Sequence, residues 1–182
     1  MLYLASKSPR RRELLMALGV DFETLDVDIP EIWDGIESAR EYVSRLATEK
    51  ARAAKAIAER DLPILASDTE VLLGNRVLGK PENIDDAISM LMSLSDCSHE
   101  VYSAVALLWK TEKVLVNISR IKFKELTELE CREYCKLESP YDKAGAYGIQ
   151  GRAAAFICKL EGSYSGVMGL PLTETATLLK AM

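Results

Sequence analysis

Histidine is nearly absent from this chain: among 182 residues there is one, His99. That excludes histidine-rich zinc sites and leaves a Ser-His-Asp triad a single base it could use. Acid–base work falls to carboxylates, lysines or a metal-bound water. Cysteine occurs four times, at positions 97, 131, 135 and 158, and never as a CxxC pair. Cys131 and Cys135 lie four apart on a predicted helix, but no histidine joins them, so all four read as free thiols. Long apolar runs are missing too. The apolar part of the opening MLYLASKSPRRR is too short for a signal peptide, and no other stretch approaches membrane-spanning length. The reading is a cytoplasmic protein with no membrane partner. Positive charge is not in surplus either: 23 basic against 28 acidic residues leave a net charge of −5. That argues against a nucleic-acid partner, and any anion site must be a local pocket. What is present, 48% hydrophobic and 28% charged residues, suits one globular domain over residues 1–182 with a substantial core.

Strand and helix signals alternate along the chain. Residues 2–5 predict a short strand running into a helix that opens at Ser8, an N-cap hydroxyl followed by Pro9, and stops at Gly19. A long helix is predicted over about 38–60, then a buried strand over 63–67 that ends at Asp68. EVLLGNRVLG reads as a hairpin turning at Gly74-Asn75, and a helix follows over about 84–94. Two strands flank the KTEK turn. Thr127 and Glu130 form a capping box for a helix to about Leu137. The glycine-rich loop SPYDKAGAYGIQG leads to a strand at about 153–160, GSYSGVMGLP is a second such loop, and a helix closes the chain. The class is α/β, with a mixed sheet because two hairpins interrupt the alternation.

Several residues sit where plain packing does not want them. Arg10, Arg11 and Arg12 occupy the first turn of a helix, at the positive pole of its dipole, where acidic residues belong. They call for an anion. Lys50 falls on the apolar face of the long helix, within the arc of Val43, Ala47, Ala54 and Ile57. Such a lysine either snorkels to water or meets a buried anion. Asp68, at the end of an apolar strand, faces the crevice where α/β sheets take ligands, and a carboxylate there holds a divalent metal or takes a proton from water. Glu31, after DVDIP, is a second candidate, weakly distinguished from Asp26, Asp28 and Asp34.

GNRVLGKP matches the phosphate-binding GxxxxGK up to its last position. There Pro81 replaces the hydroxyl residue that would hold magnesium, and the segment reads as a hairpin, so the P-loop reading fails. Lys80 remains, on a proline-stiffened turn. In KAGAYGIQG, glycines allow close backbone approach, Lys143 adds charge, and Gln150 offers an amide to a base edge. Basic groups, carboxylates and an amide together describe a site for a nucleoside polyphosphate.

With these residues in view, the chain resembles the Maf family of nucleoside triphosphate pyrophosphatases, the bacterial septum-formation family. LASKSPRRRELL, YVSRLATEKA, SDTEVLLGNRVLGKP, DKAGAYGIQG and LEGSYSGVMGLPL follow the family's order and spacing nearly end to end. The resemblance implies a twisted mixed α/β sheet with flanking helices, of the Maf and ITPase type, with two lobes around a nucleotide cleft and usually dimeric. It implies hydrolysis of a nucleoside triphosphate to monophosphate and pyrophosphate with Mg2+ or Mn2+. By motif position Asp68 would be the catalytic base, Asp68 and Glu31 the metal carboxylates, and Ser6, Ser8, Arg11, Lys50 and Lys80 the phosphate-binding groups. Arg10, Thr69 and Gln150 hold the positions associated with substrate choice, and their combination resembles the dTTP and UTP branch. Gln150 would accept from N3–H and donate to O4 of the base, its orientation fixed by Thr69 and the backbone of its own loop.

Three positions depart from the family pattern. Glu70 replaces a small apolar residue and, by strand alternation, should share the face of Asp68. Lys7 replaces a small residue in the phosphate loop, and Gly166 replaces an asparagine. Two alternatives stand beside this expectation: a pyrophosphatase for 7-methyl-GTP or another modified nucleotide, and a nucleotide-binding regulator of cell division without turnover.

Overall fold

Leu2–Ala5 forms a fully buried strand, β1, because four consecutive small or apolar residues have both faces covered. The computed structural model covers residues 1–182. Ser8 then caps α1, Pro9–Ala17, accepting a hydrogen bond from the Arg11 N–H, and Gly19 ends the turn at φ +66°. Phe22–Leu25 is a strand, β2, that sequence reasoning did not assign; four residues at a sheet edge, two half-buried and two exposed, carry little pattern. The capping box of Ser38 and Glu41 opens α2, Ala39–Ile57, which stops short of the predicted residue 60. Ile57 is 54% exposed and does not belong to the buried face, unlike Val43, Ala47 and Ala54.

The central strand, β3, runs from Ile64 to Leu73, so Asp68 sits in its middle and not at its end. Its polar residues broke the apolar run that marked a strand, but an unbroken antiparallel ladder with β5 (Ser98–Leu108) from Ile64 to Leu72 carries it through. The hairpin turns at Gly74 and Asn75 into β4, Arg76–Leu78. Helix α3, Ile84–Leu94, strand β6, Glu112–Phe123, and the capped helix α4, Glu128–Leu137, lie where expected. Residues 151–156 make 3-10 turns, with only Ile157–Glu161 extended as β7. The second glycine-rich loop contains a short helix, α5, Tyr164–Met168, and α6, Leu172–Lys180, closes the chain.

The seven strands form one mixed sheet in the order β2-β1-β3-β5-β6-β7, with β4 on the far end of β3. Helix α2 covers one face, packing alanines and Val43 against Tyr3, Ala5, Ile64, Ala66, Ala104 and Ala106. The larger core on the other face collects residues of α1, α3, α4 and α6. One detail of register makes the site. Strand β1 pairs with β3 only from Ile64 to Ala66, and β4 only from Val71 to Leu73. Between them, Ser67 to Glu70 have no strand neighbour on that side, so a crevice opens at an edge deep inside the sheet.

Candidate active site

A cavity of about 330 Å³ fills this crevice. Its walls are the open edge of β3, the Ser6–Arg11 turn into α1, the 142–150 loop, and the 167–169 turn after α5. Every site residue that the family resemblance implied lines it: Ser6, Ser8, Arg10, Arg11, Glu31, Lys50, Asp68, Thr69, Lys80 and Gln150. Arg12 does not; it reaches back to the Lys7 carbonyl in the exposed part of the turn.

On the α2 face of β3 stands a cluster of carboxylates and ammonium groups. Lys50, 9% exposed, does not snorkel to water. Its Nζ donates to Asp68 Oδ1 at 2.6 Å and to Glu31 Oε1 at 2.5 Å. Lys80 Nζ takes the other oxygen of Glu31. Burial pushes the Glu31 carboxyl up, but the two ammonium groups outweigh it and hold the group down at about 2. Glu31 is placed by its own segment. Arg45 on α2 binds the Ile32 carbonyl and Glu37, and Asp34 accepts from the N–H groups of Ile36 and Glu37, which folds the chain back onto the helix. Glu70 shares the Asp68 face, as alternation requires, and is 7% exposed. Asp68 Oδ2 and Glu70 Oε2 are buried without any hydrogen-bond partner. Burial, then the charges of Asp68 and Glu31, push the Glu70 carboxyl well above the usual range.

The other face of β3 is a hydroxyl frame that fixes the wall of the cavity. Ser67 donates to the carbonyls of Ala104 and Gly169, and Arg11 Nε donates to the same Gly169 carbonyl at 2.8 Å. Burial pulls the Arg11 guanidinium below its usual value. Thr69 Oγ1 lies 2.9 Å from Ser103 Oγ, whose hydroxyl donates to the Gly166 carbonyl. Ser67 and Ser103 were not singled out from the sequence; the available signal was a hydroxyl in the middle of an apolar strand. Arg10 pairs with Asp142 of the glycine-rich loop at 3.3 Å. Ser6 Oγ accepts from the Ser8 N–H, tightening the turn, and Lys7 points outward toward Asp28. A side chain at Gly166 would meet Asn117 Oδ1 at 3.0 Å, which fits a glycine here.

The 142–150 loop owes its path to Gly145, at φ +66° with Val71 so close that a Cβ would stand 3.0 Å from its methyl. Gln150 is exposed at the cavity rim, and its amide makes no hydrogen bond. The expected lock by Thr69 is not made: the Thr69 hydroxyl is engaged with Ser103. His99 does not line the cavity; it is buried against Tyr147 OH at 2.7 Å and the Phe123 ring. All four cysteines are free thiols.

Chemically, the arrangement offers several cations and two buried carboxylates, each with one unpartnered oxygen. No three histidine, cysteine, aspartate or glutamate side chains converge into a closed metal cage. The two unpartnered buried oxygens, Asp68 Oδ2 and Glu70 Oε2, fit the other mode of hard-cation binding, in which one or two carboxylates share the ion with water and substrate phosphates. Glu31 has both oxygens on ammonium groups.

The family described as Maf-like protein matches residues 1–182. A dTTP/UTP pyrophosphatase of Xanthomonas axonopodis pv. citri is 51% identical, over 100% of this chain and 98% of its own length. One of the same name from Saccharophagus degradans is 47% identical, over 99% of this chain and 88% of its own. Among solved structures, a nucleoside-triphosphatase, dITP/XTP pyrophosphatase, of Mycobacterium abscessus is 16% identical, with a TM-score of 0.46, over 98% of this chain and 93% of that one.

Proposed function

The chain belongs to the Maf-like protein family, and on that premise we propose that it hydrolyses dTTP and UTP to the monophosphate and pyrophosphate, clearing nucleotides from the pool. The observation that carries this reading is Asp68: a carboxylate 3% exposed, fixed through one oxygen by Lys50, with the other oxygen unpartnered, in the wall of a cavity rich in basic groups. A regulator that only bound nucleotide would have no use for such a group. Asp68 takes the proton of the attacking water, and Lys50 keeps its carboxylate oriented. Arg11, Lys50 and Lys80, with the N–H groups of the Ser6–Ser8 turn at the α1 N-terminus, hold the outer phosphates as the leaving group. A divalent cation, Mg2+ or Mn2+, held beside Asp68, would shield the polyphosphate charge and acidify water.

Gln150 at the rim matches the edge shared by uracil and thymine, accepting from N3–H and donating to O4. Arg10 and Thr69 line the same cavity. The reading includes a homodimer in the cytoplasm without a nucleic-acid partner; the net charge of −5 and the free thiols support the last two points. No helix is long and apolar enough to cross a membrane.

Pyrophosphate release across UTP, dTTP, CTP, GTP and 7-methyl-GTP tests the proposal. In oxygen-18 water the label should enter the monophosphate. Label in pyrophosphate, or orthophosphate as first product, would sink the reaction, and GTP or 7-methyl-GTP in the lead would sink the substrate choice.

A further inference from the structure

Three carboxylates and two lysines meet on the α2 face of β3, and the pairing leaves one carboxylate over. Lys50 is shared by Asp68 and Glu31, and Lys80 is spent on Glu31. Glu70 has no ion pair and no hydrogen bond on its carboxylate, although it is 7% exposed and lines the cavity. A buried carboxylate with neither cation nor donor costs several kcal/mol. It stands two residues from Asp68 on the same face, and each presents a buried, unpartnered oxygen. Arg11, the remaining nearby cation, is anchored on the opposite side through its Nε to Gly169.

We propose that Glu70 is a ligand of the divalent cation, its Oε2 holding the ion beside Asp68. This takes the place expected of Glu31, whose two oxygens are both engaged by lysines. It rests on the reading of the cavity as a site for a metal-bound nucleotide. An ion here answers both orphaned oxygens at once and leaves the Lys50–Glu31–Lys80 chain intact. An oxygen pair with room for water and phosphate suits Mg2+ and Mn2+, which dehydrate only in part. On this reading the chain binds the ion before the nucleotide arrives.

The test is Mn2+ binding to the nucleotide-free protein, followed by electron paramagnetic resonance of the free ion, on wild type and on Glu70→Gln. Glutamine keeps the shape and removes a buried charge, so the variant should fold at least as well as wild type. Wild type should bind about one Mn2+ per chain, and Glu70→Gln should bind at least about tenfold more weakly, since affinity for hard cations follows ligand charge. Thermal melting gives a second readout: Mn2+ should raise the wild-type Tm and leave that of Glu70→Gln unmoved. Equal Mn2+ affinity in the two proteins, as a merely neutral buried acid would give, overturns the proposal. So does a wild type that binds no Mn2+ without nucleotide. Pyrophosphate release from UTP by wild type in the same samples separates this outcome from failure of the functional reading.

Discussion

At the scale of single residues, Lys50 decides what the site is. A lysine on an apolar helix face had two futures, water or an anion, and its Nζ between Asp68 and Glu31 settles it for the anion. On the proposed reading Asp68 carries the chemistry, and Asp68→Asn keeps its volume while removing the charge. Turnover of UTP should fall at least about a hundredfold, the low end of general-base effects, with the urea unfolding curve still cooperative. Unchanged turnover would remove Asp68 from the reaction. Gln150 is different in kind, because nothing in the free protein holds its amide. An amide free to flip meets cytosine as well as uracil, so UTP should lead CTP by no more than about tenfold, the lower end of a polar mismatch. Gln150→Glu cannot donate to O4 and should lose the preference altogether. Catalytic efficiencies for UTP and CTP in both proteins check this.

At the scale of elements, what was legible was local. The caps at Ser8 and Thr127 and the turn at Gly74-Asn75 are written in neighbouring residues, and the helices and hairpin they define are found. The length of β3 was not local. Asp68 and Glu70 look like the end of a strand until β5 pairs across them, and that partner lies more than thirty residues away. Lys50 and Asp68 could be named as members of the site because charge in apolar surroundings stands out, whereas Ser6, Ser8 and Thr69 were named as such only through the family resemblance. Their pairing could not, since a sequence does not say that Lys80 is committed to Glu31 or Thr69 to Ser103. Gly169 shows how one backbone position serves two elements: its carbonyl receives both Ser67 and Arg11, at φ +116° with Arg11 Nε only 3.3 Å from where a Cβ would stand. Gly169→Ala should cost about 1–3 kcal/mol of stability through that conformation. It should also raise KM for UTP more than it lowers kcat, because Arg11 loses its rest. Urea unfolding and steady-state kinetics give the two numbers.

At the scale of the whole molecule, acid should loosen the fold from two places. Burial holds the His99 imidazole down at about 4, against an ordinary 6.5, and its neighbours Tyr147 and Phe123 bring no charge. The unfolded chain therefore binds the proton first, and stability is lost as pH falls from 6.5 toward 4, by roughly 3 kcal/mol at most. Glu31, held at about 2 against 4.5, adds a second loss below pH 4.5. His99→Gln should flatten the upper part of the curve and leave the lower part, as urea midpoints between pH 7 and 4.5 will register. The Glu31 pairing has a further consequence, in ion exchange. Lys50 and Lys80 are not bare in the free protein, because Glu31 already serves them as counter-anion. A triphosphate arriving there trades places with a carboxylate instead of with dissolved chloride. Its Kd should therefore rise less steeply with ionic strength than the number of basic groups in the cavity would suggest.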